Sequence, residues 1–193
     1  MLTIARSVPP IRKRISELLQ QQHAVIVAIA GGSGSGKTTL AKQLPGKQLH
    51  LDHYYRPLHG QYHNQNRDTP AALDLRLARR HLNALRMGRA IRMPLYSFHT
   101  HRRMGYRKFS ASRVIIVEGL FALHPTIRAV ADVRIFVNAP AKLRLARRLK
   151  RDVKTRSETK AAIIARWRRF VEPAYQRMIL PTKRAADFVV SGT

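Results

Sequence analysis

The stretch that decides the fold is Ala24-Val-Ile-Val-Ala-Ile-Ala-Gly-Gly-Ser-Gly-Ser-Gly-Lys-Thr-Thr39. An apolar, β-branched run passes directly into glycines, one lysine and two threonines, which predicts a strand, a loop and the start of a helix. Within it, Gly31-x-x-x-x-Gly36-Lys37-Thr38 satisfies the Walker A pattern. A glycine-rich turn without a ligand is the alternative, but the strand before the loop and the helix-compatible Leu40–Leu44 after it supply the context that the motif needs.

The loop predicts a nucleotide site because glycines let backbone N–H groups face a phosphate and a helix N-terminus adds partial positive charge. Lys37 would reach the β- and γ-phosphates, and the Thr38 hydroxyl would ligate Mg²⁺. We therefore expect ATP and Mg²⁺ as cofactors. The residues expected to hold the nucleotide are Gly31, Gly32, Ser33, Gly34, Ser35, Gly36, Lys37, Thr38 and Thr39.

Length and composition predict one domain over residues 1–193, since 45% hydrophobic residues can form one sizeable core. There is no cysteine, which excludes disulfides and thiolate metal sites and fits a reducing, cytoplasmic setting. The first 22 residues lack the apolar centre of a signal peptide, and nowhere do 18 apolar residues follow one another. We expect a soluble, cytoplasmic protein without a membrane partner.

The charge is strongly basic: 37 Lys and Arg residues against 10 Asp and Glu residues give a net charge of +27. Such a chain is expected to bind polyanions in a salt-dependent way. One interpretation is a nucleic-acid partner, and the other is an arginine-rich solvated surface with some cations for ATP. The arginines are spread over several amphipathic helices and no nucleic-acid-binding signature is present, which favours only non-specific binding of nucleic acid.

Strands that alternate with helices predict an α/β protein of the P-loop NTPase fold, with a central parallel sheet of about five strands covered by helices. The predicted strands are 24–30, 48–51, 114–117, 132–137 and 187–190. A β-hairpin is expected at 90–109, because an alternating run, a turn and a second arm follow one another there. The predicted helices are an N-terminal helix within 1–22 opened by Pro9-Pro10, then 70–87, 140–152, and a last helix from 158 to about 171 that is interrupted by Pro173 and resumes towards Ile179.

Two carboxylates follow predicted strands, Asp52 after 48–51 and Glu118 after 114–117. Ligands of open α/β sheets lie outside the carboxyl ends of the strands, so both acids are well placed for chemistry. A solvated loop aspartate and a buried structural glutamate are the alternatives. The segment 53–69, rich in His, Asn, Gln, Tyr and Gly, is typical of a functional loop.

Seven short segments follow one another between residues 24 and 190. They are the Walker loop, Leu51–Tyr55, Asp68–Asp74, Pro94–His101, Val117–Ala122, Arg144–Asp152 and Pro181–Asp187. In sequence and in order they resemble the motifs of the uridine kinases of the phosphoribulokinase/uridine kinase group. The resemblance implies ATP-dependent phosphorylation of a small-molecule hydroxyl, first of all the 5′-hydroxyl of uridine or cytidine.

The resemblance also implies roles for the carboxylates and for the acceptor pocket. Asp52 matches the catalytic base, which orients the attacking hydroxyl and accepts its proton. Glu118 matches the acid that holds Mg²⁺ directly or through water. Asp68 matches the carboxylate that binds the ribose hydroxyls. The side chains that match the lining of the nucleoside pocket are Tyr55, Tyr96 and His101.

A basic, lid-like segment at 140–157 carries arginines that the resemblance links to the phosphates. Arg151 is expected to act in catalysis by neutralising charge on the transferring phosphoryl group, Arg147 to bind the nucleotide, and Arg148 to contact the substrate. Positions 144, 148 and 151 share one helix face, so some of these cations, with Arg156 just beyond, belong to a solvated basic face.

Four positions depart from the family pattern and leave the acceptor open: Ala71, Ser97, Glu158 and Arg166. Arg166 stands where a glutamine helps to read the pyrimidine, and a guanidinium has only donors to offer. Nicotinamide riboside, pantothenate or a sugar phosphate are alternative acceptors, and a nucleic-acid-associated P-loop NTPase is the second function. The hairpin resembles the arm that uridine kinases use in tetramers, which suggests a homo-oligomer.

Overall fold

A computed structural model describes residues 2–58, 65–156 and 158–193, apart from the side chains of residues 155 and 156. The predicted functional loop of 53–69 therefore lies partly outside the described residues. The same holds for the Arg156 side chain and for the last residue of the lid-like segment 140–157.

The core of the molecule is an all-parallel sheet in the order β1-β8-β7-β2-β6-β3, six strands within the described part of the chain. The predicted P-loop fold is confirmed, but the expected strand count of five was too low. The added strand is β1, where Leu2 pairs with Val190 and Thr3 with Ser191. A strand of two residues is too short to show the alternation of apolar and polar side chains that identifies a strand in a sequence, so β1 is recognised only by its pairing with β8. The sheet strands are β1 (Leu2–Thr3), β2 (Val25–Ala30), β3 (Lys47–His50), β6 (Val114–Glu118), β7 (Val133–Asn138) and β8 (Phe188–Ser191).

Helices cover both faces of the sheet, as the apolar strands require. All of β2 is buried, and its side chains alternate between two cores: Ile26 and Ala28 pack towards α3, while Val25, Val27 and Ile29 pack towards α1 and α2. The helices are α1 (Ile4–Gln21), α2 (Lys37–Ala41), α3 (Leu75–Arg86), α4 (Pro125–Arg128), α5 (Ala141–Arg156), α6 (Lys160–Arg166) and α7 (Glu172–Ala174).

The N-terminal helix begins earlier than predicted, at Ile4, and it contains Pro9 and Pro10. The prediction that these prolines open the helix was wrong. Each proline removes one amide donor to the carbonyl four residues earlier. Burial compensates for that loss, because Ile11 and Ile15 are completely or almost completely inside the core.

The prediction that the C-terminal helix is interrupted at Pro173 was wrong. After α6 the chain continues through a π turn (Trp167–Val171), α7, a second π turn (Tyr175–Ile179) and a 3₁₀ segment (Leu180–Ala185). In the first π turn the Glu172 N–H donates to the carbonyl of Trp167, five residues back. The wider turns pass the proline while Val171 and Ala174 stay buried.

The predicted hairpin is present as β4 (Ile91–Ser97) and β5 (Arg102–Phe109), an antiparallel pair outside the main sheet. Its register shifts between Pro94 and Tyr96. His101 in the turn has a φ of 53°, a left-handed conformation that is uncommon for a residue other than glycine. No helix in the described ranges is long and apolar enough to cross a membrane.

Candidate active site

The phosphate loop lies between the end of β2 and the first turn of α2, at the carboxyl edge of the sheet. Gly34 and Gly36 have φ values of 78° and 103°, a region in which residues with a side chain are strained. A Cβ atom on Gly34 would lie 2.5 Å from the carbonyl oxygen of Arg144. Helix α5 therefore packs directly on the loop, and glycine is needed for that approach.

Lys37 is the first residue of α2, and its ammonium group is buried in the loop. Its Nζ donates a hydrogen bond to the carbonyl oxygen of Gly32 at 2.9 Å. Burial lowers the pKa of Lys37, although the negative charges of Glu118 and Asp52 oppose that shift. The cation thus lies beside both carboxylates that were predicted to serve the reaction.

Glu118 ends β6 beside the loop and accepts two hydrogen bonds at the same oxygen. Thr38 Oγ1 donates to Glu118 Oε1 at 3.1 Å, and His50 Nδ1 lies 2.7 Å from that oxygen. Burial acts to raise the pKa of Glu118, but the His50 hydrogen bond and the Lys37 charge outweigh it and the pKa is lowered. The hydrogen bond to Glu118 in turn raises the pKa of His50. Glu118 is therefore held as a carboxylate.

These oxygens suit the predicted Mg²⁺. Thr38 and Glu118 offer a hydroxyl and a carboxylate, the hard ligands that Mg²⁺ prefers, and Mg²⁺ commonly binds through few protein oxygens plus waters and substrate phosphates. Within the described residues no cluster of three or more histidines or acids could hold a metal alone. The donor set therefore fits an ion that is bound together with a nucleotide.

His50 was not identified from the sequence, although a signal for it existed. It is the last residue of β3, and the sheet register pairs it directly with Glu118. Opposite residues at the ends of adjacent strands come within contact distance, but the strand order that makes β3 and β6 neighbours is not written in a local pattern.

A single cavity adjoins the loop and brings together predicted donor and acceptor residues from distant parts of the chain. From the loop and the strand ends it is lined by Ser33, Lys37, Thr38, Asp52 and Glu118. From the predicted acceptor side and α5 it is lined by Tyr55, Asp68, Tyr96, His101, Arg148 and Arg151. The same cavity contains Arg67 and Phe98, which the sequence had not assigned to an acceptor pocket, and Arg166, which stands where the family pattern has the glutamine that reads the pyrimidine.

The two acceptor-side carboxylates differ in burial. Asp52 lies in a 3₁₀ turn (Leu51–Tyr54) and is half-buried. Asp68 is 6% exposed, and its carboxylate forms no salt bridge or hydrogen bond with any residue in the described ranges. Burial acts to lower the pKa of Arg151, yet its bond to Asp152 and the charges of Asp52 and Asp68 outweigh it and the pKa is raised. Arg151 is thus a cation placed near both carboxylates.

Aromatic rings form one wall of the cavity. The ring centroid of Tyr96 lies 5.4 Å from that of Tyr55 and 5.2 Å from that of Phe98. The Tyr96 hydroxyl lies 3.4 Å from His101 Nδ1. Phe98 lies within the motif Pro94–His101, two residues after Tyr96. Residues two apart in a strand lie on the same face, so strand periodicity could have identified Phe98.

The arginines of α5 have different surroundings. Arg144 is 1% exposed, pairs with Glu172 at 2.8 Å and lies 3.8 Å from the ring centroid of Tyr175. It is therefore part of the packing under the loop. Arg148 and Arg151 both pair with Asp152, at 3.1 Å and 2.7 Å, and line the cavity.

Arg147, the predicted nucleotide contact on α5, points elsewhere. Its Nη1 donates to the carbonyl oxygen of Gly192 at 2.6 Å and lies 3.4 Å from that of Gly34. It touches the loop from the outside and does not line the cavity that contains Lys37.

Of the four departures from the family pattern, Arg166 is the one that lines this cavity. Ser97 instead accepts the N–H groups of His99 and Thr100 in the hairpin turn, at 3.3 Å and 3.2 Å. Ala71 is exposed and Glu158 is half-buried. The departure that bears on the acceptor is therefore the arginine.

The loop, its lysine and the parallel sheet define a P-loop nucleotide-binding protein of the kinase type. A family model described as Phosphoribulokinase / Uridine kinase family matches residues 26–193. The chain belongs to the phosphoribulokinase/uridine kinase family, and the resemblance drawn from the sequence motifs is confirmed.

Curated relatives agree with that family, and a solved structure has a similar fold. The uridine kinase of Staphylococcus haemolyticus is 39% identical over 181 residues, which cover 87% of this chain and 87% of that protein. Uridine kinase-like protein 4 of Arabidopsis thaliana is 36% identical over 188 residues, and the chain spans only 40% of that protein's length. The structure of a possible uridine kinase from Bacillus stearothermophilus is similar in fold, with a TM-score of 0.61, 22% identity, and coverage of 94% of this chain and 99% of that one.

Proposed function

We propose that the protein is an ATP- and Mg²⁺-dependent kinase that phosphorylates a hydroxyl of a small molecule, with the 5′-hydroxyl of uridine or cytidine as the first candidate. The observation that carries this proposal is the shared cavity. It contains Lys37 and Thr38 of the phosphate loop together with Asp52 and the buried Asp68. A nucleotide switch needs no second carboxylate pocket beside its phosphate loop.

Asp52 is proposed as the base. Its carboxylate would accept the proton of the acceptor hydroxyl as that oxygen attacks the γ-phosphorus and the bond to the bridging β–γ oxygen breaks, which releases ADP. Asp52 suits this role because Lys37 and Arg151 lie close enough for their charges to interact with it.

Lys37 and Arg151 are proposed to stabilise the charge of the transferring phosphoryl group. Lys37 is held within the loop and Arg151 lines the same cavity, and charges that are fixed before the reaction stabilise the charge that develops on a transferred group. Thr38 and Glu118 would hold Mg²⁺, which would neutralise charge on the phosphates. His50 keeps Glu118 oriented through its hydrogen bond of 2.7 Å.

Asp68 is proposed to bind a vicinal diol of the acceptor. A buried carboxylate without a partner is costly, and two hydroxyl donors would satisfy its two oxygens. Tyr55, Tyr96 and Phe98 would cover the ring of the acceptor, since aromatic faces bind flat rings by offset or edge contacts.

The proposed function is tested with γ-labelled ATP and a panel of nucleosides. We expect label to pass to uridine or another hydroxylated acceptor only when Mg²⁺ is present. A parallel assay measures ADP release with and without RNA. ADP release that depends on RNA and on no small acceptor would support the nucleic-acid-associated NTPase instead.

We also propose that nucleic acid binds only non-specifically and that the hairpin mediates self-association. Met104 and Tyr106 on β5 are 63% and 54% exposed, which is unusual for large apolar side chains. Light scattering of the wild type and of a Met104→Ser, Tyr106→Ser double variant would reveal whether the hairpin forms the contact. A monomeric wild type would reject self-association.

A further inference from the structure

Two guanidinium groups lie at the acceptor end of the cavity. Arg166 is 7% exposed, and its Nη2 donates to the carbonyl oxygen of Gln65 at 3.1 Å. The Arg67 guanidinium lies 5.2 Å from the ring centroid of Tyr55, and its Nη2 lies 3.5 Å from the Tyr96 hydroxyl. Arg67 therefore adjoins the aromatic wall that was assigned to the acceptor, and Arg166 lines the same cavity.

Cationic side chains outnumber carboxylates in the lining of the cavity, with five Lys or Arg side chains against three carboxylates. Lys37, Arg148 and Arg151 belong to the phosphate end, which leaves two arginines and Asp68 around the acceptor. Arg67 forms no salt bridge in the described ranges, which include every Asp and Glu of the chain.

A guanidinium has particular requirements for its ligand. It offers five N–H donors in a plane, has no acceptor, and stays charged at every pH of interest. Its strongest partners are carboxylate and phosphate groups, which it binds by paired, charge-assisted hydrogen bonds. A neutral pyrimidine edge presents both donors and acceptors, so two arginines match such an edge poorly.

We propose that the natural acceptor carries an anionic group, a carboxylate or a phosphate, which Arg166 and Arg67 bind at the end away from the reacting hydroxyl. This inference rests on the proposed function, because it names the class of acceptor for the same kinase site. The acceptor is then a polyhydroxylated or ribosyl acid: its diol binds Asp68, its free hydroxyl faces Asp52, and its anion faces the two arginines. Uridine and cytidine become weak surrogates for it.

Matched acceptor pairs that differ only in this anionic group test the inference. The carboxylate pairs are nicotinate riboside against nicotinamide riboside and orotidine against uridine, and the phosphate pair is ribulose 5-phosphate against ribulose. We expect kcat/KM to be about 10- to 100-fold higher for the anionic member of at least one pair, the range for hydrogen bonds to charged groups. The pair that shows the preference identifies the anion as carboxylate or phosphate.

Variants of the arginines assign the preference to these side chains. Arg166→Gln is expected to raise KM for the anionic acceptor about 10- to 100-fold while KM for ATP stays unchanged. KM for uridine should not rise, because the variant carries the glutamine that the family pattern has at this position. Arg67→Gln is expected to act in the same direction, and it tests the inference independently if Arg166→Gln does not fold. The matched control is Arg168→Gln, which removes the same charge from an exposed position two residues from Arg166.

The outcomes separate the inference from the function on which it rests. If neutral members are phosphorylated as well as anionic ones in every pair, the inference is overturned and the kinase assignment stands. The same holds if the anion preference survives in both arginine variants. If no acceptor of either kind is phosphorylated, the proposed function itself fails, and the inference fails with it.

Discussion

The two ends of the cavity are built on different principles. At the phosphate end, the Glu118 carboxylate has partners within the protein, Thr38 and His50. At the acceptor end, the Asp68 carboxylate forms no salt bridge or hydrogen bond within the described residues, and Arg67 donates to the carbonyl oxygen of Arg56 but forms no salt bridge there. The phosphate end is therefore preorganised for a ligand common to many proteins, whereas the acceptor end leaves charges to be satisfied by its own substrate.

This contrast has a consequence for variants of the two ends. Changes at the phosphate end should reduce turnover with every acceptor, because they remove stabilisation of the reacting phosphoryl group. Changes at the acceptor end should alter KM for the acceptor and leave KM for ATP in place.

Lys37→Ala should have the largest effect. Loss of this buried cation is expected to lower kcat about 10³- to 10⁵-fold, the scale observed for charges that stabilise a transferring phosphoryl group. Label transfer from ATP measures it. Lys42→Ala, at an exposed position just after the same helix, is the control and should keep activity. Retention of most activity by Lys37→Ala would contradict the assignment of the phosphate end.

Asp52→Asn sharpens the comparison at the boundary between the two ends. The amide keeps the shape of the side chain but cannot take the hydroxyl proton, so kcat should fall about 10²- to 10⁴-fold with little change in either KM. Steady-state kinetics with ATP and acceptor varied separately measure this. A rise in KM for ATP with kcat unchanged would instead assign Asp52 to the nucleotide.

Asp68→Asn should affect the acceptor alone. It weakens binding of the diol in the ground state and the transition state alike, so KM for the acceptor should rise about 10-fold or more, as expected when a hydrogen bond to a charged group is lost. KM for ATP should stay constant. Equal effects on both substrates would show that the two ends are not separate and that Asp68 has a structural role.

His50→Gln should have the smallest effect, one on stability that depends on pH. The pKa of His50 is raised and that of Glu118 is lowered by their mutual hydrogen bond. The pair therefore stabilises the fold fully below the ordinary pKa of His50, about 6.5, and loses this contribution as the pH rises through the raised value. On the acid side, the contribution is lost as the pH falls through the lowered pKa of Glu118.

Thermal unfolding at several pH values measures that contribution. The difference in Tm between the wild type and His50→Gln should be larger at pH 6 than at pH 9. His99→Gln is the control, because His99 is exposed and lies in the hairpin turn. A difference in Tm that does not change between these pH values would mean that His50 acts only through packing.

Features with a clear local sequence pattern were predicted correctly, and features without one were not. The loop, the buried strands and the hairpin follow local patterns of glycines and apolar residues, and the structure confirms them. The errors occurred where a pattern was absent or was overridden. Strand β1 is too short to show one, while Pro9 and Pro173 lie inside helical segments because burial of neighbouring side chains compensates for the lost amide donors.

The residues of the phosphate end can be predicted from the sequence alone, because the groups that surround a phosphate come from one continuous run whose spacing fixes their geometry. Which distant side chains complete the cavity depends instead on the tertiary fold. The order of the strands places His50 beside Glu118, and the docking of α5 buries Arg144 while it directs Arg148 and Arg151 into the cavity. Packing of the C-terminal helices then brings Arg166 into the same cavity as Arg67. Periodicity gives the face of each helix, but the rotation of that face relative to its neighbours depends on packing across the whole core.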